Sequence, residues 1–261
     1  YTGTYGTNGF YLPFNSYGTN PMSSATVNGF STYLQFFDGT NNYVSYPNST
    51  NFAFGTGSFT IEFWVKFNNS SVSDSMILDW RNAGSANDIV VTTGSTTYGG
   101  TNGSLRFVVA GTTIMSGTTL IADGNWNHCA IVRNGSSAVT LYVNGISRGT
   151  GTISTNISIS TGTLYTGYNS YGAVGFNGSG GASLSNLRVV KGTAVYTSNF
   201  TPPTSPLTAI SGTSLLTDQN STLIDNSGNN VSLTSYGYTS IPDNSGNLNN
   251  WYGNNIQVTT S

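Results

Sequence analysis

Phe59-Thr60-Ile61-Glu62-Phe63-Trp64-Val65-Lys66-Phe67 alternates without a break. Phe59, Ile61, Phe63, Val65 and Phe67 fall on one side, and Thr60, Glu62, Trp64 and Lys66 on the other. Successive side chains of a strand point to opposite faces, so this stretch reads as a β-strand with one face in a core. A second unit lies at 128–150. Residues 128–133 read as a strand, Asn134-Gly135-Ser136-Ser137 as a loop and 139–143 as the next strand. Asn144-Gly145 is then a two-residue turn and 146–148 a third strand, which together make a meander. Shorter candidates are 33–37, 43–46, 76–80, 89–92, 105–109, 164–166, 184–190 and 231–233.

Composition agrees with these segments. Ser, Thr, Asn and Gly make up just over half of the 261 residues. All four disfavour helix, by competing for the backbone or by raising its entropic cost. With 16 Tyr, 13 Phe and 4 Trp, the chain is too aromatic to be disordered. Asn-Gly occurs six times, at 8, 28, 102, 134, 144 and 177, and supplies the positive φ angles of tight hairpin turns. The expected fold is therefore all-β: a two-sheet antiparallel sandwich with extended N- and C-terminal flanks.

Other classes are set aside by charge and cysteine. The formal net charge is −2 and the seven basic residues are scattered, so there is no electrostatic footprint for nucleic acid. No apolar run approaches the roughly 18 residues of a membrane span. A single cysteine, Cys129, excludes an intrachain disulfide. Residues 1–30 read as a Gly/Asn/Thr-rich flank or anchor, 31–210 as the sandwich, and 211–261 as C-terminal strands and flank. Three prolines between Thr201 and Leu207 break any ladder there, and Asp-Asn-Ser-Gly-Asn appears at 225–229 and again at 243–247. The chain opens on Tyr1 rather than Met, which points to processing or to one piece of a longer polypeptide.

Three stretches carry a family resemblance. They are Phe37-Asp38-Gly39-Thr40-Asn41-Asn42-Tyr43-Val44 with Gly57–Val65; Asp123-Gly124-Asn125-Trp126-Asn127-His128-Cys129-Ala130-Ile131-Val132-Arg133 running into Leu141-Tyr142-Val143-Asn144-Gly145; and 184–196, Leu-Ser-Asn-Leu-Arg-Val-Val-Lys-Gly-Thr-Ala-Val-Tyr. In this order they resemble the laminin-G-like, concanavalin-A-like jelly roll over about residues 31–236. The third stretch continues as Tyr196-Thr197-Ser198-Asn199-Phe200-Thr201-Pro202-Pro203 and resembles the variant found in virion proteins of tailed phages of marine and cyanobacterial hosts. Flanking segments, Tyr5–Leu12, Asp243–Asn247, Trp251 and Asn254-Asn255-Ile256, are similar to those beside such modules.

Catalytic patterns are missing. Glycosidases need two carboxylates about 5–9.5 Å apart, and related glucanases carry them as Glu-x-Asp-x-x-Glu on one strand. Here Glu62 is the only glutamate, followed at two and three residues by Trp64 and Val65. Asp74 with Asp79, or Asp218 with Asp225, have spacings that ordinary turns explain. His128 is the only histidine, and Cys129 beside it points to the opposite face of a strand, which makes a poor dyad. His128 reads instead as a strand-face residue with local hydrogen bonds, and Cys129 as a small core residue. No P-loop, zinc cluster or dinucleotide fingerprint is present.

No motif implies a cofactor. The resemblance brings calcium into consideration, at a sheet rim, and Asp38 and Asp123 would be its ligands because they lie in the resembling stretches; turns explain both without metal. Glycan binding is the sharper expectation. The loops 97–100 and 166–172 set Tyr98, Tyr168 and Tyr171 among small residues, where tyrosine offers an apolar face and a polar tip. Packing against neighbouring subunits explains the same tyrosines. The resemblance implies a non-enzymatic virion component on the particle surface, a fibre, knob or capsid appendage. It would be homo-oligomeric, in contact with other virion subunits, and would adhere to a host-surface glycan through many copies. A purely structural decoration protein, a secreted bacterial surface adhesin and a polysaccharide hydrolase are the rival readings.

Overall fold

The computed structural model describes residues 22–237, apart from 41, 71, 82–88, 99, 136, 160–161, 171–172 and 177–180, together with 240–241 and 251–252. The flank 1–21, Tyr171 and the 243–247 motif lie outside the described residues. The fold is all-β, with two large antiparallel sheets face to face. One sheet runs in the order Met22–Val27, Phe30–Phe37, Ala182–Lys191, Phe59–Phe67, Asn127–Asn134, Ala138–Val143, Ile146–Thr152, and Thr213–Thr217 also pairs with Ala182–Lys191. The other runs Thr234–Tyr236, Tyr43–Tyr46, Leu164–Thr166, Met76–Asp79, Ile89–Thr93, Ser104–Val109, Thr112–Leu120. In these two sheets paired strands extend from residue 22 to residue 236. Among the described residues no helix is long and apolar enough to cross a membrane.

The core is what the alternation at 59–67 dictates. Phe59, Ile61, Phe63, Val65 and Phe67 are fully buried and meet Val44, Tyr46, Ile77, Val91 and Phe107 from the facing sheet. Each such side chain contributes about 1.5–3 kcal/mol on burial. Cys129 stands beside Phe63 on the same inner face and is inert: burial pushes its thiol far above the ordinary value.

The outer face of the same strand departs from the alternation. Thr60, Glu62 and Trp64 are buried too: the irregular segment 193–210 lies across Thr60 and Glu62 as a strap, and Trp64 packs against Val27 and Phe30. Tyr196 and Phe200 of the strap stack with centroids 3.6 Å apart, over Ala130, Val132 and Tyr142. Asn144-Gly145 adopts the expected turn, with φ of 51° and 76°. A Cβ on Gly145 would fall 1.9 Å from the Phe200 carbonyl oxygen, so this turn also seats the strap. Ala110-Gly111 forms a like turn, φ 51° and 72°, without any asparagine to signal it.

The expected strand at 231–233 is not one. The Asp225 carboxylate accepts the Val231 N–H, Val231 and Leu233 pack on the core, and pairing begins at Thr234. The strands at 22–27, 112–120 and 213–217 lacked the apolar alternation that exposes a strand to sequence reading.

Candidate functional site

The outward face of the second sheet carries the site. Register sets which residues share it. Tyr165 pairs with Asp79, Asp79 with Val90, and Val90 with Val108; one row further on, Met76 pairs with Thr92 and Thr92 with Arg106. The alternate residues Leu78, Val91 and Phe107 turn inward to the core. The outward rows therefore hold a few charged and small side chains over a rigid support, and they line a groove of about 400 Å³, in the range of small-ligand sites.

Two ion pairs frame the groove. Asp79 is fully buried and its carboxylate accepts from Arg81 Nε at 3.0 and 3.1 Å, Arg81 Nη2 at 2.6 Å, and the Ser170 N–H at 2.9 Å. Arg81 Nη2 also donates to Asn169 Oδ1 at 2.6 Å, so one carboxylate fixes both the guanidinium and the 169–170 turn. Across the groove, Arg106 Nη1 donates to Asp74 Oδ1 at 2.6 Å and its Nε to Thr113 Oγ1 at 3.0 Å. Planar guanidinium groups held this way present fixed donors to a ligand.

An aromatic platform adjoins the groove. Tyr43 stacks on Tyr168 at 4.4 Å and on Tyr236 at 4.5 Å, while Tyr165 meets Tyr43 at 6.1 Å and Tyr168 at 5.1 Å. Burial, followed by its three tyrosine neighbours, raises the Tyr43 hydroxyl above the ordinary phenol value. All four rings remain partly open to solvent, Tyr236 most of all at 41%. Tyr168 and Asn169 are consecutive, so platform and groove form one surface.

Of the residues singled out from sequence, Tyr168 is in this platform. Tyr98 ends the short turn Thr96–Tyr98, and its side chain, like Tyr171, lies outside the described residues. Asp38 accepts the N–H groups of Thr40 and Asn42, and Asp123 accepts from Asn125 N–H and Asn127 Nδ2, so each carboxylate closes its own turn. Among the described residues no group of three His, Cys, Asp or Glu side chains is placed to hold a metal ion. Tyr43, Tyr165, Tyr236, Arg81, Arg106 and Asn169 were not picked out. The available signal was tyrosine at outward positions of otherwise polar strands, Tyr43 and Tyr165 above all.

A second polar cluster lies under the strap. Glu62 accepts from Arg188 Nε at 2.8 Å and Tyr196 Oη at 2.7 Å, and lies 3.2 Å from His128 Nε2. Burial alone would raise its carboxyl; the His128 hydrogen bond, the Arg188 charge and Tyr196 outweigh it and hold the group below the usual value. The Tyr196 hydroxyl is driven up, by burial first and then by the Glu62 charge. The carboxylate is fully buried and filled with donors, so it fastens the strap rather than meeting a ligand.

Two antiparallel sheets closed over one core, with an aromatic platform and a hydrogen-bonding groove on one sheet face, define a lectin-like jelly roll. The chain belongs to the concanavalin A-like lectin/glucanases superfamily, whose laminin-G-type family model matches residues 38–195. Among solved structures it is similar to a protein of Bacteroides ovatus proposed to bind carbohydrate, with TM-score 0.50 and 17% identity over 76% of this chain. The chain spans 58% of that protein's length. It is also similar to domain 4 of AbnA, a GH43 extracellular arabinanase from Geobacillus stearothermophilus solved with arabinotriose (TM-score 0.42, 16% identity, 71% and 82% of the two chains). A third likeness is to a heptameric SAP-like pentraxin from Limulus polyphemus (TM-score 0.36, 20% identity, 59% and 77%). These are likenesses of fold. Comparison with curated proteins finds no match.

Proposed function

We propose that this chain is a carbohydrate-binding module and that it binds without cleaving. The observation that carries the reading is the run of Tyr43, Tyr165 and Tyr168 directly into the Arg81–Asn169 groove. Sugar rings present an apolar face and a rim of hydroxyls. A tyrosine platform supplies area at low entropic cost, and fixed Arg and Asn groups supply hydrogen bonds. The Bacteroides ovatus protein's own proposed role agrees with this. Binding without cleavage is supported by the carboxylates of the groove: Asp74 and Asp79 are each held in an ion pair with an arginine.

The biological setting we infer is adhesion from a virion surface by a homo-oligomer, where weak single contacts add up through many copies. It rests on the 196–203 resemblance to tailed-phage virion proteins. A glycan array followed by calorimetry tests the function. Wild type should bind at least one glycan class, and Tyr168→Ala and Arg81→Ala should each weaken binding about tenfold while remaining folded. Folded protein that binds no glycan would sink this reading and favour a purely structural decoration protein. Release of reducing sugar from a bound glycan would overturn the non-enzymatic part.

A further inference from the structure

A second pocket, of about 340 Å³, lies on the other sheet. It is built on the hairpin of Met22–Val27 and Phe30–Phe37. There Ser24 pairs with Tyr33, and Thr26 with Ser31, so these four share a face with Gln35. Gln35 Oε1 accepts from Thr166 Oγ1 of the facing sheet, which marks this as the inward face of the hairpin. Further along the hairpin the same face opens into the pocket instead of the core.

Gln219 closes the pocket from the opposite side. Its place is fixed through the chain before it: the Asp218 carbonyl accepts from Asn186 N–H and Ser185 Oγ, and Ser185 Oγ also reaches the Tyr33 carbonyl. Gln219 is 8% exposed, and its Oε1 is buried with no hydrogen-bond partner among the described residues. The described lining carries no charged side chain, which disfavours ions as ligands. It offers instead the hydroxyls of Ser24, Thr26 and Ser31, the Tyr33 side chain and the side chain of Gln219.

We propose that this pocket is a second binding site, for a neutral, hydroxyl-rich ligand of mono- or disaccharide size, with Ser24, Thr26 and Ser31 hydrogen-bonding the ligand hydroxyls, Tyr33 forming the wall and Gln219 closing the far side. The choice of a sugar rests on the carbohydrate reading above; the site itself does not use the groove. One chain would then hold glycan on both sheets.

The test is NMR of the full chain titrated with millimolar glucose, galactose, mannose and N-acetylglucosamine. At least one sugar should shift the Tyr33 and Gln219 signals. That response should survive in Arg81→Ala and disappear in Gln219→Leu and in Ser31→Trp, the second of which fills the pocket from an exposed position. Shifts confined to the groove overturn the second site and leave the carbohydrate reading standing. A Tyr33 response unchanged in both pocket variants also overturns it. If no sugar shifts either surface, both readings fall.

Discussion

Asp79 and Tyr165 face each other across two paired strands, so the carboxylate that aims Arg81 stands beside a ring of the tyrosine platform. Because Asp79 also accepts the Ser170 N–H, one buried side chain sets the geometry of both parts of the site. Asp79→Asn should therefore lower glycan affinity about tenfold, with Arg81 present but unaimed. Stability should fall by on the order of 2 kcal/mol. Calorimetry paired with urea unfolding separates the two effects.

Glu62→Gln should cost about 3 kcal/mol, since it leaves the Arg188 charge buried without its counter-ion. The strap should loosen with it, read as faster amide exchange at Val195 and Phe200, whose N–H groups bond Thr60 Oγ1 and the Gly145 carbonyl. The folded-state value of Glu62 is lowered, so its contribution is complete above the unfolded value near 4.5 and is lost as pH falls through the folded value. Wild type should lose more stability than the variant on acidification below pH 4.5.

Asp218 behaves in the opposite sense. Burial raises it from 3.8 to about 8, and one carboxylate oxygen has no partner among the described residues. Folding then favours the protonated acid. Its stability is fully present below about pH 4 and is lost progressively as pH rises towards 8. Asp218→Asn should remove this slope and be more stable than wild type at pH 8, by on the order of a few kcal/mol. Asparagine also tolerates the φ of 64° found there. Thermal melts of both proteins from pH 4 to 9 check the sign.

Ala110 holds a left-handed conformation, φ 51°, that costs an ordinary L-residue about 1–2 kcal/mol. Ala110→Asn should relieve much of this and raise the melting temperature by about 2–4 °C. An unchanged or lower melting temperature would show that the Ala110-Gly111 turn is not strained.

Much of the architecture was legible because it is written locally. The 59–67 alternation, the 128–150 meander and the Asn28 and Asn144 turns each depend on a few neighbouring residues, and all are present in the fold. What escaped was non-local. The cover over Glu62 escaped since nothing near it announces that Tyr196, 134 positions later, will close over it; the strap has no periodicity to read. The platform escaped for a similar reason. Its four tyrosines sit on separate segments, and only the order of strands brings Tyr43 between Tyr168 and Tyr236. Tyr168 stood out because its loop is rich in small residues, whereas Tyr43 and Tyr165 resembled ordinary strand residues.

The two sheets meet along one border, where Gly151 would bring a Cβ to 2.9 Å from the Ile114 carbonyl and Met115. The opposite border is formed by the strands that contain residues 22 and 236. Tension applied at those two positions would enter at the outermost strands and peel the ladders singly, like a zipper, instead of shearing many bonds together. The first rung to part on one side would be Thr234–Tyr236, which carries the outermost ring of the platform. Under load, grip would weaken before the fold gives way.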